Sequence, residues 1–184
     1  MAGQLSVTHP SFPAADRAKR YYMIIKALSL LASAVLLSGC ATKVDLPEDP
    51  EQRLAAAKNL TQDAERRVVG FLPSSDVQEV RQVETGTLLR CGRGQYLWSG
   101  NVRAHLKPGV LGDDSRDLLA RKASSEGFGV SSDTTSTGKI REQLVDSRGV
   151  QLLATVQDGG SVVDIDSGSP CFALPDDFDV PREY

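Results

Sequence analysis

The run from Gln95 to Lys107 constrains this chain most. Tyr96, Trp98, Val102, Ala104 and Leu106 project to one side, with Gly100 in the same row. Gln95, Ser99, Asn101, Arg103, His105 and Lys107 project to the other. Strict alternation of this kind is the signature of a strand buried on one face and wet on the other. A one-sided strand belongs to an antiparallel sheet covered by another layer on its apolar side only. Lys107-Pro108-Gly109 ends the run.

The covering layer is legible on both sides of this strand. Asp49 is a good N-cap, Pro50 suits the first helical position, and Gln52 lies three residues after the cap. Leu54, Ala57, Thr61, Ala64 and Val68 then recur at spacings of three and four, one face of a helix. Arg53, Lys58, Asp63, Glu65, Arg66 and Arg67 read as its solvated remainder, and Gly70 and Pro73 stop it. A second helix is expected after Asp113 or Asp114 as cap, with Leu118, Leu119 and Ala123 inward and Gly127 just past its end.

The rest reads as strands and turns. Val77, Val80 and Val83 fit either a strand or an irregular stretch, and Leu88 and Leu89 lead into Cys91 before the Gly92-Arg93-Gly94 turn. Phe128 and Val130 begin one strand and 139–146 form another. Ser147-Arg148-Gly149 turns the chain into Val150, Leu152, Ala154 and Val156. Asp158-Gly159-Gly160 is a hairpin signal before a last strand over 161–167, after which Cys171 to Pro175 leaves the sheet. The acidic tail 176–184 is expected to be mobile. Helices and turn-linked strands in this order predict a two-layer α+β domain, two helices on one face of a mainly antiparallel sheet of four to six strands.

The N-terminal part carries a different signal. Arg17, Lys19, Arg20 and Lys26 precede an apolar run from Ala27 to Leu37, closed by Ser38, Gly39 and Cys40. A basic start, a short apolar run and small residues at the cut form an export signal. The run is too short for a spanning helix, which needs about 20 apolar residues. Leu37-Ser38-Gly39-Cys40 matches the lipobox of bacterial lipoproteins, in which the Cys thiol takes a diacylglyceryl group and the chain is cut before it. The expected organisation is a signal over 1–39, a lipidated Cys40 with a tether over 40–50, the domain over 51–175 and the tail. Met23 offers an alternative start, because the chain from there already holds a complete signal.

Charge and cysteines narrow the classes further. Of 21 basic and 24 acidic residues, four and one fall in the signal, which leaves 17 and 23 and a net charge of −6 for the mature chain. That balance disfavours nucleic acid and a polybasic grip on anionic lipid. Membrane attachment is therefore expected through lipid at Cys40. With Cys40 used, Cys91 and Cys171 remain. In an oxidising compartment an even pair reads as a disulfide. The alternatives are two free thiols or a metal pair, and two Cys with one mature His make a poor zinc set.

Motifs for chemistry are sparse. His105 is the one histidine of the mature chain, no Gly-x-Ser-x-Gly elbow surrounds Ser99, and Gly92-x-Gly94 lacks the third glycine of a dinucleotide loop. Asp164-Ile165-Asp166-Ser167-Gly168 has part of a calcium-loop pattern, but Pro175 stands where the bidentate Glu belongs. Strand alternation explains both aspartates as outward-facing groups. Tyr96 and Trp98 share their face with Val102 and Leu106, which points to core rather than to ligand stacking. No catalytic residue, metal or cofactor is expected.

The order of elements, Leu89-Arg90-Cys91 ahead of a strand, a helix ending in Gly127-Phe128-Gly129, and the closing Ser169-Pro170-Cys171-Phe172-Ala173-Leu174-Pro175 resemble the small actinobacterial LppA-type lipoproteins. That resemblance implies a compact α+β domain with a Cys91–Cys171 bridge and no known activity. The expectation is a non-enzymatic envelope binding or scaffolding module. Its candidate binding face is Ser99, Asn101, Arg103 and His105, and its partner another envelope protein. A lipid or small-molecule carrier serving a transporter is the alternative.

Overall fold

The computed structural model describes residues 44–184. The signal segment, the apolar run and Cys40 lie outside the described residues. The elements are α1 (Pro50–Val69), β1 (Val77–Gln82), β2 (Thr87–Gly92), β3 (Gln95–Leu106), α2 (Gly112–Ser125), β4 (Gly129–Thr134), β5 (Ile140–Val145), β6 (Gln151–Gln157), β7 (Val162–Gly168) and β8 (Phe172–Ala173). Every strand pairing is antiparallel.

The long strand β3 organises the sheet. One of its edges pairs with β2 along Gln95–Ser99 and with β1 along Val102–Leu106. The other edge pairs with β8 at Gln95 and Tyr96 and with β7 from Ser99 to His105. The sheet then continues through β6 and β5 to β4. The result is the expected α+β architecture, with eight strands rather than four to six. The added strands are short and carry no clean alternation, so periodicity does not mark them. Val77 to Gln82 and Thr87 to Gly92 are two strands, and Phe172–Ala173 stays in the sheet instead of leaving it.

Helix α1 covers the even-numbered face of β3, and α2 packs over β4, β5, β6 and β7 on the same side of the sheet. In α1 the stripe is the one expected from spacing: Leu54, Ala57, Thr61, Ala64 and Val68 are all buried. Asp49 caps the helix, its Oδ1 accepting from the Gln52 amide at 2.8 Å. Ala64, Val68 and Val69 pack with Val102, Ala104 and Leu106, while Leu119 and Ala123 of α2 join Leu144, Leu152 and Ala154 in the same core. A smaller cluster gathers Leu54, Ala57, Trp98, Phe172 and Leu174. Trp98 is fully buried, as its place in the apolar row requires.

Helix α2 begins differently from expectation. Its N-cap is Leu111, without a side-chain hydrogen bond, and Asp113 and Asp114 lie inside the first turn. There they complement the positive end of the helix dipole. Gly112 permits this start, because a Cβ there would stand 2.5 Å from the Gly160 carbonyl oxygen and 2.6 Å from Val156. Leu118 is half-buried. At the far end Gly127 takes φ +87°, the Phe128 amide donates to the Ala123 carbonyl and the Gly127 amide to that of Ser124. That pair of bonds is a Schellman stop, in which glycine avoids the cost of a left-handed Cβ.

The disulfide Cys91–Cys171 joins β2 to the turn before β8, with Cα atoms 6.3 Å apart. Both ends flank the first half of β3, so the bridge ties together the two strands that pair there. The tail over 176–184 lies against the domain. Phe178, Val180 and Tyr184 pack against the Trp98 cluster, and Thr87 pairs with Glu183 across an antiparallel bridge. Three apolar side chains among the tail's acidic residues supply that anchorage, which the acidic composition conceals.

Candidate functional site

The face of the sheet opposite the helices carries the polar row of β3. Antiparallel register sets side chains of neighbouring strands beside one another on that face. Asn101 lies opposite Asp166, which lies opposite Leu153, which lies opposite Gln143. One step along, Arg81, Arg103, Asp164 and Thr155 form the next row. Glu79, His105, Val162 and Gln157 form the third.

The middle of this face is hydrogen-bonded across strands. The Arg103 Nε donates to Asp164 Oδ1 at 2.7 Å. The Asn101 amide nitrogen donates to Asp164 Oδ1 at 3.2 Å and to Asp166 Oδ1 at 3.0 Å. Asp164 is nearly covered and Arg103 is far more open to solvent. The hydrogen bond from Arg103 to Asp164 is the main reason that the guanidinium holds its proton more firmly than usual. Arg81 grips Glu79 with two bonds of 2.9 Å, which pulls the Glu79 carboxyl below its ordinary range. Arg141 holds Asp133 in the same way on the β4–β5 side, and the Asp133 carboxyl is likewise lowered.

The four predicted residues therefore separate. Asn101 and Arg103 meet through Asp164. His105 sits in the next row between Glu79 and Val162, and its Nε2 is buried with no hydrogen-bond partner among the described residues. Ser99 lies at the other end of the row, opposite Gly168. Six residues of extended chain at about 3.3 Å each keep it on the order of 20 Å from His105, far beyond a nucleophile–base contact. Among the described residues no group of three or more His, Cys, Asp or Glu is placed to hold a metal ion. Chemically, the face offers fixed donors and acceptors at strand spacing.

Beneath it lies a residue that sequence reading misassigned. Glu65 belongs to the buried stripe of α1, not to its solvated side, and is fully buried. One of its oxygens accepts from the Ser167 hydroxyl and the other from the Gln82 side-chain amide at 2.6 Å. Burial raises the carboxyl above its ordinary value, and the hydrogen bonds from Ser167 and Gln82 offset part of that rise. The signal was available: Glu65 is four after Thr61 and three before Val68, the spacing of the stripe itself. Gly100 makes the room, since a Cβ there would lie 2.8 Å from a Glu65 oxygen and closer still to the Trp98 ring. Gln82 lies on β1 and Ser167 on β7, so Glu65 ties together the two strands that flank β3 and holds the polar rows in register.

No protein-family model and no curated protein sequence matches the chain. The LppA-type likeness therefore rests on the order of residues alone. The crystal structure of a DUF4853 family protein from Actinomyces odontolyticus is similar at 15% identity and a TM-score of 0.43, over 74% of this chain and 77% of that one. It is a distant structural neighbour from an actinobacterium.

Proposed function

We propose that this chain is the precursor of a lipoprotein, cut before Cys40 and held by lipid on that residue at the extracytoplasmic face of the cell membrane. Its domain acts there as a non-enzymatic binding or scaffolding module for another envelope protein. The observation that carries the reading is the uncovered face of the sheet. Asn101, Arg103, Asp164 and Asp166 lie there as one hydrogen-bonded set on two central strands, with no helix over them among the described residues. The lipobox supports the anchor, and the Cys91–Cys171 bridge suits an oxidising compartment. A diacylglyceryl group supplies two chains, the number needed for a stable hold on a bilayer.

Fractionation and crosslinking test both parts. Radiolabelled fatty acid should enter the chain, and Cys40→Ala should abolish both the label and the membrane association. Crosslinking in intact cells, followed by purification from the membrane fraction, should capture a protein through the Asn101–Arg103 face. Capture of a lipid or small metabolite and no protein would replace this reading with the carrier.

A further inference from the structure

The segment 176–184 has the geometry of a bound peptide. Phe178, Val180 and Tyr184 turn toward the cluster of Leu54, Ala57, Trp98, Phe172 and Leu174, with Leu88 and Tyr96 beside them. Asp177, Asp179, Arg182 and Glu183 stay exposed. Its last three residues pair with the sheet edge around one antiparallel bridge, after a turn over 176–178: the Tyr184 amide donates to the Gly86 carbonyl at 3.0 Å, the Gly86 amide to that of Tyr184 at 2.9 Å, and the Leu88 amide to that of Arg182 at 3.3 Å. The Trp98 indole N–H donates to the Tyr184 carbonyl at 2.9 Å, and Lys58 Nζ stands 5.2 Å from the centre of the Tyr184 ring.

This is how an extended peptide joins a sheet edge: backbone bonds give affinity, and pockets for alternate side chains give selectivity. Among the described residues β2 pairs with β3 on one side and with this segment alone on the other. Gly86 sets how closely this edge lies on β3. A Cβ there would lie 2.5 Å from the Trp98 ring, so only glycine brings the edge this close to the indole. The segment's hold is slight. Its apolar side chains are half-buried, and it carries four carboxylates. Segments with few buried contacts open locally far more readily than a core does.

We propose that the Gly86–Leu88 edge, with Trp98 and Lys58, is a peptide-binding groove that the chain's own segment 176–184 fills in cis. In trans it accepts a segment of a partner protein with the same order of side chains, two apolar residues two apart and an aromatic residue four further on, with acidic residues among them. Lys58 over the ring selects the aromatic side chain, and the indole N–H holds the backbone carbonyl of the same residue. The groove lies apart from the polar face described above and does not depend on lipid at Cys40. The tethered segment competes as an intramolecular ligand at an effective concentration of order millimolar, so the groove opens to a partner only when the segment lifts.

The test uses the full mature chain and a labelled synthetic peptide of residues 176–184. Phe178→Ala with Val180→Ala in the chain weakens the segment and leaves the groove untouched. Fluorescence anisotropy should show the peptide binding this variant at least about tenfold more tightly than the parent chain. A peptide with Phe178, Val180 and Tyr184 all changed to Ala should not bind. Equal binding by parent and variant overturns the proposal. So does failure of the variant to bind while its Gly86 and Leu88 amides exchange faster with solvent. A variant that dimerises without taking up the peptide exchanges strands between copies, and that too overturns it. Should the variant not fold, a chain with a protease site after Pro175, folded first and then cut, gives the answer: the freed segment should exchange for labelled peptide, and its loss without replacement sinks the idea.

Discussion

The Ser167 hydroxyl on β7 donates to the carboxylate of Glu65 on α1 across 102 residues of chain, and this bond joins the helical layer to the strand that carries Asp164 and Asp166 on its other face. Side chains of adjacent residues on a strand point to opposite faces. A bond under the sheet at Ser167 therefore fixes the height and tilt of Asp166 above it.

The first prediction concerns the charge on Glu65. Its carboxyl is raised in the folded state above the ordinary 4.5. The folded protein thus holds this proton more tightly than the unfolded chain does. The contribution to stability is full below the unfolded value and is lost as pH rises through the folded one. Glu65→Gln should be at least as stable as the parent at pH 7, and the gap should close as pH falls toward 4.5. Urea melts at a series of pH values check it; a gap independent of pH contradicts it. Glu65→Ala, which leaves Ser167 and Gln82 without a partner beside a cavity, should cost about 2–4 kcal/mol.

The second prediction concerns the glycines around Trp98. Gly86 and Gly100 lie against its ring, and neither has room for a Cβ. Gly86→Ala and Gly100→Ala should each destabilise by about 1–3 kcal/mol, the usual cost of overpacking. Tryptophan emission reads the outcome directly, because Trp98 is the chain's one tryptophan. Its emission should shift to the red in both variants, and an unchanged maximum would show that the ring has kept its burial.

The third prediction concerns the bridge. Cys91 and Cys171 are 80 residues apart, a loop whose closure is worth roughly 4 kcal/mol in the chain-entropy model. Cys91→Ser with Cys171→Ser should lose a comparable amount. Hydrogen exchange should rise first in β2, β8 and the first half of β3, which the bridge binds together. Protection of the β5–β6–β7 strands should outlast it. Uniform loss across the sheet would contradict this order.

The fourth prediction concerns the polar face. Arg103→Ser with Asn101→Ala removes side chains from the open face and touches none of the core. Circular dichroism and the disulfide should be unchanged, while crosslinking to the envelope partner should fall several-fold. Unchanged crosslinking would move the binding surface elsewhere.

The sequence by itself determined the architecture. Period 2 in Gln95–Lys107 and the three-four spacing from Leu54 to Val68 each require a partner surface, and a helical stripe over a one-sided sheet is how both are buried. Asp49, Gly127 and the cysteine pair were legible for the same reason: capping, positive φ and an even thiol count act locally or by arithmetic. The tertiary structure alone decided which wet-face residues meet. Asn101 and Arg103 find Asp164 because β7 lies beside β3 in this register, whereas His105 is left with Glu79 and Val162. Register between strands more than fifty residues apart in sequence is a collective result of packing, and no local pattern encodes it. Burial of Glu65 and docking of 176–184 share that origin. Each depends on a partner supplied by a distant strand: Ser167 for the carboxylate, the Gly86–Leu88 edge for the segment. Only the assembled sheet brings those partners within reach.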